Sequence, residues 1–250
     1  MEVNHHPQLD HKPKPWKEYL REYFMIVLAV ITGFFAESYR EHLGDRAKET
    51  EYMRGMVQDL KADTAEIRAT EIRFKNACRI IDTMLTCLKS DNPDPAIINH
   101  AITHEFWTYT GFSYNNHTVQ QLKSSGNFRL VLNKAVADSI LKYDNLETAF
   151  ILNQYNDLKG TLMTYKNIEA RVVYYKQLNG VEGEDFSRTD FAPANKPVFI
   201  TKDKALLASY YNSLFIHEAL CFTFLRSLKR THARASRLIT LIKKEYRLDE

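Results

Sequence analysis

Phe24-Met25-Ile26-Val27-Leu28-Ala29-Val30-Ile31-Thr32-Gly33-Phe34-Phe35-Ala36 is the one uncharged apolar run in an otherwise polar, helix-patterned chain of 250 residues. A bilayer core of roughly 30 Å asks for about 20 helical residues. Glu22 and Glu37 bracket the run and leave it short, but its flanks lengthen it. Trp16, Tyr19 and Tyr23 precede it and Tyr39 follows, the placing of an aromatic belt at two interfaces. With Leu20 and Tyr23 added, and the Arg21 and Glu37 side chains reaching for headgroups, the helix just spans. Phe34 stands two residues before Ala36, the only small residue at the exit, so no A-x-A-like cleavage site follows. The expected organisation is a disordered leader (1–15), a transmembrane anchor (16–39) and an extracytoplasmic helical domain (40–250). The competing reading is a soluble protein that buries the run in its core.

Orientation rests on little. Lys12, Lys14, Lys17 and Arg21 before the run are balanced by Arg40, Arg46, Lys48 and Arg54 after it. A short leader followed by a long domain favours an N-in, C-out signal anchor. The N-terminus is then cytoplasmic and the domain periplasmic, at a bacterial inner membrane.

Composition bounds the rest. Eight Gly and seven Pro argue for long helices and few turns. A net charge of +3 raises no bulk field that calls for nucleic acid. Three cysteines make no disulfide framework. Cys78 and Cys87 lie roughly 13 Å apart along one helix, too far to bridge, and Cys221 reaches either only if packing allows. All three read as small core residues.

Beyond the anchor no proline interrupts Glu37 to Ser90. Met53, Val57, Leu60, Thr64, Ile67, Phe74, Cys78, Ile81, Leu85 and Leu88 step alternately by four and three, with Glu71 the one exception. This heptad seam from Met53 to Leu88 predicts a stalk helix packed on a partner, from this chain or from a second copy in a homodimer. Asp59, Lys61, Asp63, Glu66, Arg68 and Arg73 are read as its solvated face. Asp94 caps a short helix opening at Pro95 and running to about Thr108. His100 and His104 share a face there, but without the H-E-x-x-H arrangement. A third ligand would have to come from elsewhere (His117 or His217), so they are read as ordinary histidines and no metal or cofactor is expected.

Thr118 with Gln121 resembles a capping box, Gly126 a helix terminator and Asn133 the cap of a helix from Lys134 to about Leu178. That helix is expected to bury Val136, Ile140, Tyr143, Leu146, Phe150, Asn153, Asp157, Leu162, Tyr165, Ile168, Val172 and Tyr175. Val181 to Lys202 reads as a long connection. Asp203 caps the last helix, which carries a wide stripe from Leu206 to Leu228 and then a basic run ending at Arg247. No aromatic residues alternate with that run as base-stacking platforms would. A solvated or stalk-paired face is favoured, with anionic lipid second.

Two stretches carry a resemblance. One is Trp16…Arg21-Glu22…Phe24 to Glu37, running into Arg46…Glu51-Tyr52-Met53…Asp59-Leu60…Asp63. The other is Thr118 to Val131, with Leu122-Lys123-Ser124-Ser125-Gly126-Asn127-Phe128-Arg129-Leu130 at its centre, followed by Asn133-Lys134 and Ile140…Tyr143. Together they resemble a bacterial family of uncharacterised single-pass membrane proteins, a domain of unknown function with a short N-terminal anchor and an "LKSSGNxRL" motif. The resemblance covers roughly residues 16–145. It implies a membrane anchor with a helical stalk and brings no catalytic residues. The family usually carries Asn or Gln near the anchor's end, where this chain has Glu37.

The fold expected is all-α, an N-terminal transmembrane helix continuing into an extended antiparallel helical bundle of long helices with short helical connectors. P-loop, G-x-G-x-x-G, G-x-S-x-G, CxxC and H-E-x-x-H patterns are all missing from the sequence, so no enzyme is expected. The leading function is a membrane-anchored scaffold or interaction protein whose partners are the lipid bilayer and another protein, without nucleic acid. The alternative is a sensor-like, ligand-binding bundle in which Lys123 and Arg129 contact an anion. A third reading is a soluble helical protein or enzyme.

Overall fold

The computed structural model describes residues 15–105, 114–173 and 199–248, without the side chains of 103–105 and 146–148. The elements are α1 (Trp16–Leu88), α2 (Pro95–Glu105), α3 (His117–Ser124), a 3₁₀ turn (Asn127–Leu130), α4 (Lys134–Lys142), a π-helical turn (Tyr143–Thr148), α5 (Ala149–Glu169) and α6 (Lys204–Tyr246). Among the described residues the only extended pairing is an isolated antiparallel bridge between Val173 and Phe199. The chain divides into two compact units, Met1–Thr50 and Glu51–Glu250, and α1 contributes to both. The leader and Val181 to Pro197 lie outside the described residues, as do the last residues of the helices expected to reach Thr108 and Leu178.

In the first unit α1 carries the apolar run. Phe24, Met25, Ile26, Leu28, Val30, Phe34 and Phe35 are 61–70% exposed. An 18-residue window of this helix is long and apolar enough to cross a membrane, and none of that window is buried. A surface helix of a soluble domain shows an apolar stripe; this segment is apolar all round. Polar residues resume after it with short-range pairs, Arg40 to Glu37 at 2.6 Å and Arg46 to Glu49 at 2.9 Å.

In the second unit α1 is striped. Met53, Val57, Leu60, Ile67, Phe74, Cys78, Ile81 and Leu85 of the expected seam are buried, and so are Met56, Ala77, Met84 and Cys87 beside it. The buried face is therefore wider than a two-helix seam. Where the seam falls on polar residues, the buried positions are Asp63 and Thr70, one residue before Thr64 and Glu71. Asp63 therefore belongs to the interior, not to the solvated face.

α6 runs antiparallel to two arms at once. Along α1, Tyr210 meets Met84, the Phe224 ring lies 4.8 Å from that of Phe74, and His232 accepts from Arg68 Nε at 3.0 Å. Along the other arm, Tyr210 meets Glu169, His217 meets Thr161, Arg230 covers the Phe150 ring and Glu245 accepts from Asn133. Two core clusters result. One joins Ile67–Cys87 of α1 with α2, α5 and the first half of α6; the other joins Met53–Leu60 with α3, α4 and Ala235–Ile242. The first cluster holds both Cys78 and Cys221, and the nearby Cys221 thiol lowers the Cys78 pKa, so packing does bring Cys221 towards Cys78.

The local signals mostly hold. Asp94 accepts from the Ala96 N–H at 2.8 Å, Asn133 from Val136 at 3.2 Å and Asp203 from Ala205 at 2.9 Å. Gly126 takes the left-handed conformation at φ 68°. The Thr118 capping box does not form. The N-cap position falls two residues earlier, at Asn116, and the Thr118 N–H is satisfied by Asp59 of α1 at 2.8 Å. A carboxylate from another helix thus replaces the local cap.

The single helix expected from Lys134 is broken by the π turn. Beyond it the buried positions are Ile151, Tyr155 and Leu158, while Phe150, Asn153 and Asp157 are exposed. A π turn inserts one extra residue and shifts the stripe just beyond it; further along, Tyr165 and Val172 are buried as the pattern expects.

Two glycines separate helix propensity from packing. A Cβ on Gly160 meets nothing within 4 Å, whereas one on Gly55 comes within 2.9 Å of Thr118 Oγ1, on a residue tied to Asp59. Gly160→Ala should gain about 0.5–1 kcal/mol in denaturant unfolding, and Gly55→Ala should gain nothing or lose stability.

Candidate functional site: a buried carboxylate network beside a basic cleft

Asp63 is fully buried on α1. A carboxylate there is costly unless donors surround it. Its Oδ1 accepts from the backbone N–H and side-chain amide of Asn115, at 2.8 and 3.0 Å. Its Oδ2 accepts from the Tyr143 hydroxyl at 2.9 Å. Burial still outweighs these bonds and pushes the Asp63 pKa up. Four residues before it, Asp59 holds the start of α3.

The π turn makes a second carboxylate available. In a regular helix, neighbours point about 100° apart. Here Tyr143 and Asp144 are both buried, Tyr143 bonding Asp63 and Asp144 bonding Tyr114. Asp144 accepts from Tyr114 at 2.9 Å and from the Lys123 ammonium in a close ion pair. The Tyr114 and Tyr143 rings meet edge-on at 6.0 Å. Burial, followed by the neighbouring carboxylates, drives both phenol pKa values far up, so both hydroxyls stay protonated donors. The network Asn115–Asp63–Tyr143 and Tyr114–Asp144–Lys123 joins α1, the segment before α3, α3 itself and the π turn.

Of the two expected anion contacts, Lys123 is thus engaged by Asp144, with Asn145 at 3.5 Å, and Arg129 is exposed on the 3₁₀ turn. Asn127 of the same motif donates to the Tyr52 hydroxyl at 2.8 Å. The motif residues at Lys123 and Asn127 therefore tie α3 and the 3₁₀ turn to the π turn and to α1. Asp63, Tyr114, Tyr143 and Asp144 were not singled out as a site by pattern. Asp63 and Tyr143 fall inside the two stretches that carry the family resemblance, the one signal that pointed towards them.

On the far side of Tyr143, α4 and α6 bound a cleft of about 490 Å³. Ser139, Lys142 and Tyr143 line it from one side; Arg234, Arg237, Leu238 and Leu241 line it from the other. Among the described residues three cations and no carboxylate line it.

A second polar group is embedded between α5 and α6. Glu169, fully buried, accepts from Lys166 at 2.8 Å and from Tyr210 at 2.5 Å. His217 is also fully buried, with Nδ1 2.8 Å from Thr161 Oγ1 and Nε2 3.6 Å from Cys221 Sγ. Burial, and then the Lys166 charge, lowers its pKa to about 4. His100 is exposed on α2 and the His104 side chain lies outside the described residues. Among the described residues no three His, Cys, Asp or Glu side chains are grouped to hold a metal ion. No protein-family model, curated protein or solved structure matches the chain.

Asp63→Ala should cost about 2–4 kcal/mol, because Asn115 and Tyr143 lose their acceptor in a buried site. Asp63→Asn should cost less. Asp63 binds its proton more readily folded than unfolded. Its contribution is therefore largest below the ordinary value of 3.8 and declines as pH rises towards the raised folded value. The stability difference between wild type and Asp63→Asn should shrink with rising pH across that window in urea unfolding.

His217 acts with the opposite sign. Its folded pKa lies below the unfolded 6.5, so its contribution is complete above pH 6.5 and is lost as pH falls towards about 4. The loss amounts to about 3 kcal/mol. His217→Gln should be less stable at neutral pH but show a flatter stability profile between those limits.

Proposed function

We propose that this protein is a single-pass, membrane-anchored helical scaffold, without catalytic activity, that presents its second unit to a protein partner. The supporting observation is the all-round exposure of Phe24 to Phe35 on a helix flanked by Trp16, Tyr19, Tyr23 and Tyr39. Each such residue left in water forgoes about 1.5–3 kcal/mol of burial energy, a loss that a lipid environment removes. The likeness to single-pass bacterial proteins of unknown function agrees with this reading. By the same resemblance the membrane is a bacterial inner membrane; a short leader before a long domain puts the N-terminus in the cytoplasm and the domain of residues 40–250 in the periplasm.

The second unit is then an antiparallel helical bundle whose interior is structural. Asp63 and Glu169 are sealed from solvent and Asp144 is bonded to Tyr114 and Lys123, so none of the three is poised as an acid or base for a substrate. The seam residues of α1 are already buried within one chain, so a second copy or another protein would bind on a different face.

Carbonate extraction of cell membranes, with protease treatment of spheroplasts and a C-terminal epitope, tests the reading. The protein should stay in the pellet and the epitope should be cut from outside. Release into the supernatant would make Phe24 to Ala36 a segment that another surface covers, and the anchor would be abandoned. Protection of the epitope in intact spheroplasts, with cleavage after lysis, would reverse the orientation.

A further inference from the structure

The cleft between α4 and α6 is chemically one-sided. Lys142 stands on α4; Arg234 and Arg237 stand three apart on one face of α6. Among the described residues no carboxylate lines the cleft, and Lys142 and Arg237 enter no ion pair. Like charges gathered in a concave site repel one another and focus a positive potential that draws an anion in. The hydroxyl protons nearby are already committed. Ser139 donates to the Ala135 carbonyl at 2.7 Å and Tyr143 donates to Asp63 at 2.9 Å. Recognition therefore falls to two guanidinium groups and one ammonium, donors that match phosphate oxygens in geometry and charge. Leu238 and Leu241 supply an apolar wall, and about 490 Å³ is space for a small organic molecule, not only a bare ion.

We propose that this cleft is a binding site for a phosphate-bearing small molecule, held by Lys142, Arg234 and Arg237, with the remainder of the ligand against Leu238 and Leu241. The same headgroup chemistry is offered by a free phosphorylated metabolite and by an anionic phospholipid. The site does not depend on the scaffold reading, and it is distinct from Lys123 and Arg129. Tyr143 forms its back wall and also holds Asp63, so an occupant would rest on the network that joins α1 to the π turn.

The test uses the full chain purified in a neutral detergent, at constant ionic strength. One arm titrates inorganic pyrophosphate; the other titrates dioctanoyl phosphatidylglycerol against dioctanoyl phosphatidylcholine. Binding is read by isothermal titration and by the shift in melting temperature. Saturable binding of pyrophosphate, or of phosphatidylglycerol but not phosphatidylcholine, is expected, and the arm that responds identifies the source. Arg237→Gln and the triple change Lys142→Gln, Arg234→Gln, Arg237→Gln should each weaken it by about tenfold or more. Lys229→Gln with Lys244→Gln, elsewhere on α6, should leave it unchanged. These side chains are exposed, so the variants should melt like wild type without ligand, and the single change stands if the triple one fails to fold. Failure of both probes to saturate on the wild type, or equal loss in the Lys229/Lys244 variant, would overturn the site.

Discussion

A carboxylate removed from water must collect its hydrogen bonds from wherever the chain can provide them, and Asp63 imposes that condition on this fold. Its donors come from Asn115 and from Tyr143, 52 and 80 residues away in sequence. Satisfying it requires the segment before α3 and the start of the π turn to lie against the same turn of α1. Asp59, one helical turn earlier, holds the N-terminus of α3 in place. Asp144 and Lys123 extend the network outward to where one partner is still partly exposed. A buried polar network of this kind adds little net energy over apolar packing, but it tolerates few alternative registers.

The apolar framework is laid along α6. This helix packs antiparallel on α1 and on the α4–α5 arm, so a single stripe from Tyr210 to Ile242 serves both core clusters. Its basic residues are left to the remaining face, where α4 and α6 leave a cleft instead of closing. α1 shows two solvent regimes within one continuous helix. From Phe24 to Ala36 it is apolar around its whole circumference; from Met53 onward it is apolar on one face. Backbone hydrogen bonding is the same in both. Only the side chains distinguish a segment that asks for surroundings as apolar as itself from one that asks for a core on one side and water on the other.

Helix existence and most helix ends were legible because they depend on neighbours in sequence. Asp94, Asn133, Gly126 and Asp203 act where their patterns place them. The misreadings share a cause. Thr118 was read as a cap because Gln121 follows at the right spacing, but Asp59 competes for the same N–H from another helix. Asp63 was assigned to the charged face because aspartate usually belongs there, and its donors are invisible from within α1. On α5 the pattern fails at Phe150, Asn153 and Asp157, just beyond a π turn that neither Gly nor Pro announces, and holds again at Tyr165 and, past the helix end, at Val172.

By itself the sequence determined that the chain is helical, that α1 continues from an apolar segment into a striped one, and where most helices begin and stop. Those properties follow from side-chain volume, polarity and capping within a few residues. Tertiary structure alone decided which polar groups are buried, that Cys221 comes near Cys78, that Lys123 is paired with Asp144, and that three cations converge on one cleft. Each of these joins residues at least 20 positions apart, and local periodicity carries no information about which distant donor, acceptor or charge will stand opposite.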